Sequence, residues 1–299
     1  MSDTLRTSDL SKRFRATPVL SRLNLAVPEG SVYALVGPNG AGKTTCIQIL
    51  MNLLRATSGH AEVLGQDSRR LAPRDFAQIG YVSENQELPE WMTLEYFLGY
   101  LKPFYPTWDD ARAAELLRQF DLPPARKLKE LSRGMKMKAA LASALAYRPR
   151  LIVLDEPFTG LDPLVRDELI ESLLETAEGA TIFLSSHDLA EIESFASHIG
   201  YLDHGSLKFS EEMAVLTGRF REIEITLASP SVLPRPWPAA WLPAESSAAL
   251  VRFVDTEFNA ERTHAEIRRL WSGVEDISAR PMPLRAIFVA LAKTGRKAA

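Results

Sequence analysis

Hydrophobic positions along this chain gather into short apolar runs separated by stretches of helical spacing. Val32-Tyr33-Ala34-Leu35-Val36 is one such run and predicts a buried strand. Beyond a glycine-rich segment, Ile47, Leu50 and Leu54 recur at spacings of three and four, predicting a helix. Up to about residue 85 the remaining elements read as short strands, with a Ser58-Gly59 turn before Ala61-Glu62-Val63-Leu64. From about 86 to 145 the pattern turns helical. Thr107 and Asp110 are spaced for a capping box, Ala113, Leu117 and Phe120 share a face, and Pro103 and Pro106 break the run before them. Strand-like runs return at Leu151-Ile152-Val153-Leu154 and Thr181-Ile182-Phe183-Leu184, as expected for a sheet completed after an insertion. Past about 220 the pattern changes again. Glu222 to Leu227 alternates like a half-buried strand, and Leu250 to Val254 reads as a second one. Pro230 to Pro243 holds five prolines and two tryptophans and predicts a loop. Residues 260–271 and 283–293 read as helices, the second with Leu284, Ile287, Phe288 and Leu291 at helical spacing. The fold class expected is α/β, with a small α+β part at the C-terminal end.

The strand–glycine–helix segment carries the clearest chemistry. Gly37-Pro38-Asn39-Gly40-Ala41-Gly42-Lys43-Thr44-Thr45 fits the phosphate-binding pattern G-x-x-x-x-G-K-[ST] in the context that pattern requires. Glycines let successive backbone N–H groups converge on phosphate oxygens, and the helix N-terminus adds partial positive charge. Lys43 can reach β- and γ-phosphates, and the Thr44 hydroxyl can ligate Mg²⁺. The apolar run at 151–154 ends in Asp155-Glu156, placing two carboxylates where open α/β sheets keep their active sites. Asp155 suits a metal-linked role, and Glu156 suits orienting or deprotonating a water. Without the glycine-rich segment the same pair reads equally as the start of a solvated turn.

Leu131-Ser132-Arg133-Gly134-Met135, ahead of the alanine-rich run Lys136 to Ala146, resembles the signature of ATP-binding cassette (ABC) ATPases, usually Leu-Ser-Gly-Gly-Gln. Arg133 replaces the first glycine and Met135 the glutamine, a variant resembling that of bacterial exporter-type members. Alone, Ser132 would read as an ordinary helix cap. The other landmarks of that family follow in order. Phe14 stands where the family stacks an aromatic on adenine, though alone it could be a core aromatic. Gly160-Leu161-Asp162-Pro163 looks like the D-loop. His187, in Ser185-Ser186-His187-Asp188, matches the histidine that senses the γ-phosphate and would otherwise be a surface histidine. Ile79-Gly80-Tyr81-Val82-Ser83-Glu84 resembles the segment ending at the Q-loop glutamine; Glu84 takes that position, with Gln86 two residues on as the alternative counterpart.

The resemblance covers residues 4 to 216 and implies a P-loop NTPase fold with an ABC-type helical subdomain at about 86–145. It implies an ATPase domain at 1–218 and an accessory domain at 219–299. ATP and Mg²⁺ are the implied ligands: Gly37 to Thr45, Phe14, Ser132 and Gly134 on the nucleotide, Thr44, Asp155 and Glu84 on the metal, and Lys43, Glu156 and His187 in catalysis. The implied partners are a second ATPase subunit, identical or homologous, and an integral membrane permease. Apolar residues at Leu88, Trp91, Met92 and Phe97 either meet that permease or pack inside the subdomain. Placement is expected on the cytoplasmic face of the cell membrane, with export as the direction.

Composition agrees. At 299 residues and 46% hydrophobic content a substantial core is available. A net charge of −3 implies no broad nucleic-acid-binding surface. Met1 to Thr7 lacks the apolar core of a signal peptide, and no apolar stretch reaches the roughly 18–20 residues that span a bilayer. Cys46, the single cysteine, fits a reducing compartment; two residues beyond Thr44 it reads as a small packed side chain, with a reactive thiol, from its nearness to phosphate-binding donors, as the alternative. His60, His198, His204 and His264 lack metal-ligand spacing. A soluble ABC-type ATPase acting on ribosomes or DNA is the alternative; such proteins tend to pair cassettes in one chain or carry a long coiled-coil insertion. A P-loop kinase would have no use for Ser132 or His187.

Overall fold

The structure, a computed structural model, describes residues 2–295 other than Asn85, Glu178, Ser231, Pro243, Ala244 and Ala248. Two compact units divide the chain, Met1–Ser210 and Glu211–Ala299.

The first unit opens with an antiparallel hairpin, Asp3–Phe14 and Thr17–Pro28, where the sequence predicts only short strands. Irregular register near Thr7/Leu10 and Leu10/Lys12, with positive φ at Asp9 and Arg22, breaks the two-residue alternation that would betray a long strand. Leu5, Leu10, Leu20, Leu23, Leu25 and Val27 are nonetheless all buried. Ser58 and Gly59 are not a turn. They begin the Ser58–Val63 strand, with Ser58 opposite Ser11.

A six-stranded sheet runs in the order Ser206–Glu212, His198–Asp203, Val32–Val36, Thr181–Ser186, Leu151–Asp155, Ile79–Ser83. Ile79–Ser83, Leu151–Asp155, Thr181–Ser186, Val32–Val36 and His198–Asp203 pair in parallel. Such strands are covered on both faces, which is why 151–155 and 181–186 are buried at every position. Register then decides which C-terminal ends meet: Ser83 pairs Asp155, Asp155 pairs Ser185, and Ser185 pairs Leu35, just before Gly37. One sheet edge therefore collects residues far apart in sequence.

Helices Leu94–Leu101, Asp110–Gln119 and Arg133–Leu145 occupy the stretch that reads as helical. The cap of the middle helix differs from the expected one. Asp109 is the N-cap and accepts from the Arg112 N–H at 3.0 Å, while Thr107 Oγ1 donates to the Tyr147 carbonyl. The buried face is Ala113, Leu116 and Phe120, with Leu117 only half-buried. The expected choice between contact and packing also resolves residue by residue. Met92 and Phe97 are buried and pack inside, Leu88 is half-buried, and Trp91 is exposed.

In the second unit the sheet order is Glu245–Ser247, Leu250–Asp255, Arg221–Leu227, Val274–Pro281, all antiparallel. Helices Ala260–Leu270 and Leu284–Gly295 accompany it, the first capped by Asn259. The proline-rich stretch is irregular, with Ser231 and Pro243 outside the described residues. Its tryptophans are anchors: Trp237 and Trp241 pack on Phe253 at centroid distances of 5.5 and 4.2 Å.

Candidate functional site

The Val32–Val36 strand delivers Gly37 at the sheet edge, and the helix Lys43–Leu50 starts after the turn. Glycine is needed at both ends of that turn. A Cβ on Gly37 would lie 2.1 Å from the Leu202 carbonyl oxygen. Gly42, the helix N-cap, has φ 108°, and its Cβ would meet Leu20 Cδ2 at 2.7 Å. A cavity of about 450 Å³ opens above the turn. Its lining includes Asn39 to Thr45 on one side and Glu84, Glu156, Thr159 and His187 on the other. A smaller cavity of about 100 Å³ joins Thr44, Gln48, Ser83, Glu84, Asp155 and Glu156.

Lys43 is buried at the centre. Its ammonium donates to the Gly37 carbonyl at 2.7 Å and the Pro38 carbonyl at 3.3 Å, and lies 3.1 Å from Glu156 Oε1. The other oxygen, Glu156 Oε2, sits 2.7 Å from His187 Nδ1 and accepts from Thr159 Oγ1 at 3.2 Å. Burial alone would raise the Glu156 carboxyl; the His187 hydrogen bond and the Lys43 charge outweigh it and hold it below the usual carboxylate range. Glu156 has φ 51°, a left-handed backbone uncommon for a side chain of this kind, so the surrounding contacts must hold it there.

Ser185, fully buried, supplies one of those contacts. Its hydroxyl donates to Asp155 Oδ1 at 2.6 Å and accepts from the Glu156 N–H at 2.9 Å. Sequence reading assigns Ser185 no role; the only signal is a serine near the end of an apolar run, one residue before Ser186 and two before His187. Thr44 Oγ1 also donates to Asp155 Oδ1, at 3.1 Å. Burial pushes Asp155 up, against the Ser185 and Thr44 hydrogen bonds that lower it. The Thr44 hydroxyl and the Asp155 carboxylate are hard oxygen donors of the kind Mg²⁺ takes, with the Glu84 side chain lining the same small cavity, and a dication beside Asp155 would favour its charged form.

A stability prediction follows from that shift. A carboxyl raised in the folded state costs stability once the pH exceeds its unfolded value of about 3.9, and the cost is fully present above the folded value. Asp155→Asn keeps an acceptor for Ser185 without that cost. The melting temperature at neutral pH without nucleotide should rise by about 2–4 °C, while stabilisation by added Mg²⁺ with ATP is lost. A lower melting temperature in thermal scans would contradict this.

The other expected residues fall outside the cavity. Among the described residues, Phe14, Ser132 and Gly134 are not part of its lining. Phe14 is exposed, with Lys12 Nζ 4.8 Å from its ring centroid. Ser132 caps the Arg133–Leu145 helix, accepting from the Met135 N–H at 3.2 Å. Gly134 has a local packing reason as well: a Cβ there would come within 2.8 Å of Val165 Cγ1. Glu84 borders both cavities and Gln86 borders neither. A reactive Cys46 is overturned. The side chain is 0% exposed, and burial pushes its thiol up to about 12, leaving no thiolate to react.

Comparison with known proteins agrees with this arrangement. The ABC transporter family model matches residues 20–159. An uncharacterized ABC transporter ATP-binding protein of Synechocystis sp. is 35% identical over 217 residues, 70% of this chain and 60% of that protein. The match thus spans less than two thirds of the Synechocystis protein's own length. The daunorubicin resistance ATP-binding protein DrrA2 of Streptomyces coeruleorubidus is 37% identical over 241 residues, 77% of this chain and 74% of that protein. A solved ATP-binding subunit of an ABC transporter is 32% identical, with a TM-score of 0.65 over 72% of this chain and 92% of that one. With its phosphate-binding turn, paired carboxylates and histidine gathered at one sheet edge, the chain belongs to the ABC transporter family as an ATP-binding cassette ATPase.

Proposed function

We propose that this chain hydrolyses Mg·ATP in the cleft above Lys43 and thereby powers a separate integral membrane permease, in the direction of export. One observation carries the catalytic part: Lys43 and His187 flank the same carboxylate, Glu156, at 3.1 and 2.7 Å. An anion held by Lys43 therefore lies beside a carboxylate able to take a proton from water. In this reading Lys43 and the free N–H groups of the turn between Asn39 and Thr45 bind the phosphates, and Phe14 stacks on adenine. Thr44, Asp155 and Glu84 would hold the metal. Glu156 orients and deprotonates the attacking water, and His187 hydrogen-bonds the γ-phosphate. Bound Mg²⁺ supplies neutralisation of phosphate charge.

Two subunits, identical or homologous, would pair so that Ser132 and Gly134 of one close over ATP on the other. Their position outside the cavity of their own chain supports this. ATP binding would then shift the pair toward its closed form, and hydrolysis would release it. The proposed ATPase domain is 1–218 and the accessory domain 219–299, the latter a packing or dimer-contact module. Export rests on the resemblance of Leu131 to Met135 to the signature variant of bacterial exporter-type members; the similar Streptomyces protein is named for daunorubicin resistance. Among the described residues no helix is long and apolar enough to cross a membrane, so the pore would come from another polypeptide, with this chain on its cytoplasmic face. Trp91, Tyr96, Tyr100 and Phe104 are exposed and paired, Trp91 with Tyr96 at 6.0 Å and Tyr100 with Phe104 at 5.7 Å between ring centroids. Such a rigid aromatic surface suits the permease contact. No nucleic-acid partner is expected at a net charge of −3.

Tagged Glu156→Gln protein, trapped with ATP in its native host and extracted from membranes, should bring down a multi-spanning protein in near-equal amount. Recovery of ribosomes or DNA instead would move the function to a soluble ATPase.

A further inference from the structure

Arg133 opens the signature helix, yet a cation is disfavoured at a helix N-terminus, where the backbone already presents positive charge. Its partner explains its presence. Arg133 Nη2 donates to Glu84 Oε1 at 2.8 Å, across 49 residues of sequence. The guanidinium also lies against Gly160, where a Cβ would come within 2.6 Å of Nη1. Glu84 itself is tied to the carboxylate strand, its N–H donating to the Asp155 carbonyl at 2.9 Å. Arg133 therefore touches both segments that flank the carboxylates, one ending at Glu84 and the other following Glu156. Glu84 lines both cavities together with Glu156, and the smaller one with Asp155 too. Two carboxylates lining a cleft that receives a polyanion, with Asp155 in the smaller cavity they share, repel it, and Lys43 is already shared between Glu156 and the turn.

We propose that Arg133 is a positioning residue for Glu84, holding its carboxylate against the signature helix and compensating its charge toward the bound triphosphate. The inference rests on the ATP-binding reading of the cleft. Arginine stands here where the usual signature has a neutral glycine, and the charge it adds is met by that of Glu84. The pair is partly solvated, with Arg133 56% and Glu84 30% exposed, so its effect is modest and screened by salt.

The test is a cycle of Arg133→Ala, Glu84→Gln and the double variant, with Arg133→Lys as the charge-keeping control. Binding of a fluorescent ATP analogue is measured at low salt, with and without Mg²⁺, and folding is monitored by thermal melting. Without metal, Arg133→Ala should weaken binding about two- to fivefold. Arg133→Lys should keep most of it, and adding Glu84→Gln to Arg133→Ala should restore it to within about twofold. With Mg²⁺ the loss from Arg133→Ala should shrink, because the dication then faces Glu84. Unchanged metal-free binding in Arg133→Ala, or equal losses with and without Glu84→Gln, overturns the pairing while leaving the ATP reading intact. Wild-type protein that binds no nucleotide overturns both.

Discussion

Glu156→Gln should bind ATP with near wild-type affinity and hydrolyse it about 10²–10³-fold more slowly. Glutamine keeps the shape and one oxygen, so the Thr159 contact and the left-handed backbone held by Ser185 survive. What it loses is the carboxylate's ability to accept a proton. The carboxyl lies below the usual range because His187 and Lys43 together outweigh its burial, so it is ionised at neutral pH and ready as a base. The same shift fixes a sign. A carboxyl lowered in the folded state adds stability above its unfolded value of about 4.3, and that stability is lost as pH falls through the folded value. Wild-type protein should therefore lose more stability than Glu156→Gln on acidification below the ordinary carboxylate range. Steady-state phosphate release, read beside binding of a fluorescent ATP analogue, separates the two steps. Full hydrolysis in the variant would remove Glu156 from the chemistry.

The parts of this site that were legible in sequence are those whose geometry restricts residue type locally. Gly37 and Gly42 must be glycine because their surroundings admit no Cβ, and Asp155-Glu156 follows a strand buried on both faces. What sequence did not show depends on register and on packing between distant segments. Ser185 organises both carboxylates only because Asp155 and Ser185 are paired in the sheet. Arg133 and Glu84 meet only because the signature helix returns to the carboxylate strand. Trp91 and Met92 are neighbours of similar hydrophobicity, and burial separates them. The strand Val274–Pro281 carries no mark in the sequence for a related reason. It lies at a sheet edge, with Glu275, Asp276, Arg280 and Pro281 exposed, so no apolar alternation marks it. Thr107 and Asp109 are both plausible caps two residues apart, and only the backbone decides between them.

Lys43→Ala acts one step earlier than Glu156→Gln and should cut turnover sharply at limiting ATP by lowering nucleotide affinity. The ammonium is buried, oriented by the Gly37 and Pro38 carbonyls, and aimed at the space above the turn. Charged hydrogen bonds of this kind are worth about 1.5–3 kcal/mol each, so ATP affinity should fall about 10- to 100-fold. The backbone N–H groups of the turn remain, which is why binding weakens in place of vanishing at high ATP. The variant also tests how Glu156 is tuned. With Lys43 gone, burial is no longer opposed by the lysine's charge, and the carboxyl must move up from its present position. Residual hydrolysis at saturating ATP should then show a pH dependence displaced upward from the wild-type acid limb, whereas Glu156→Gln should show none from this group. A Lys43→Ala protein with wild-type affinity and an unmoved acid limb would mean that the turn binds phosphate without its lysine and that Glu156 is tuned by His187 alone.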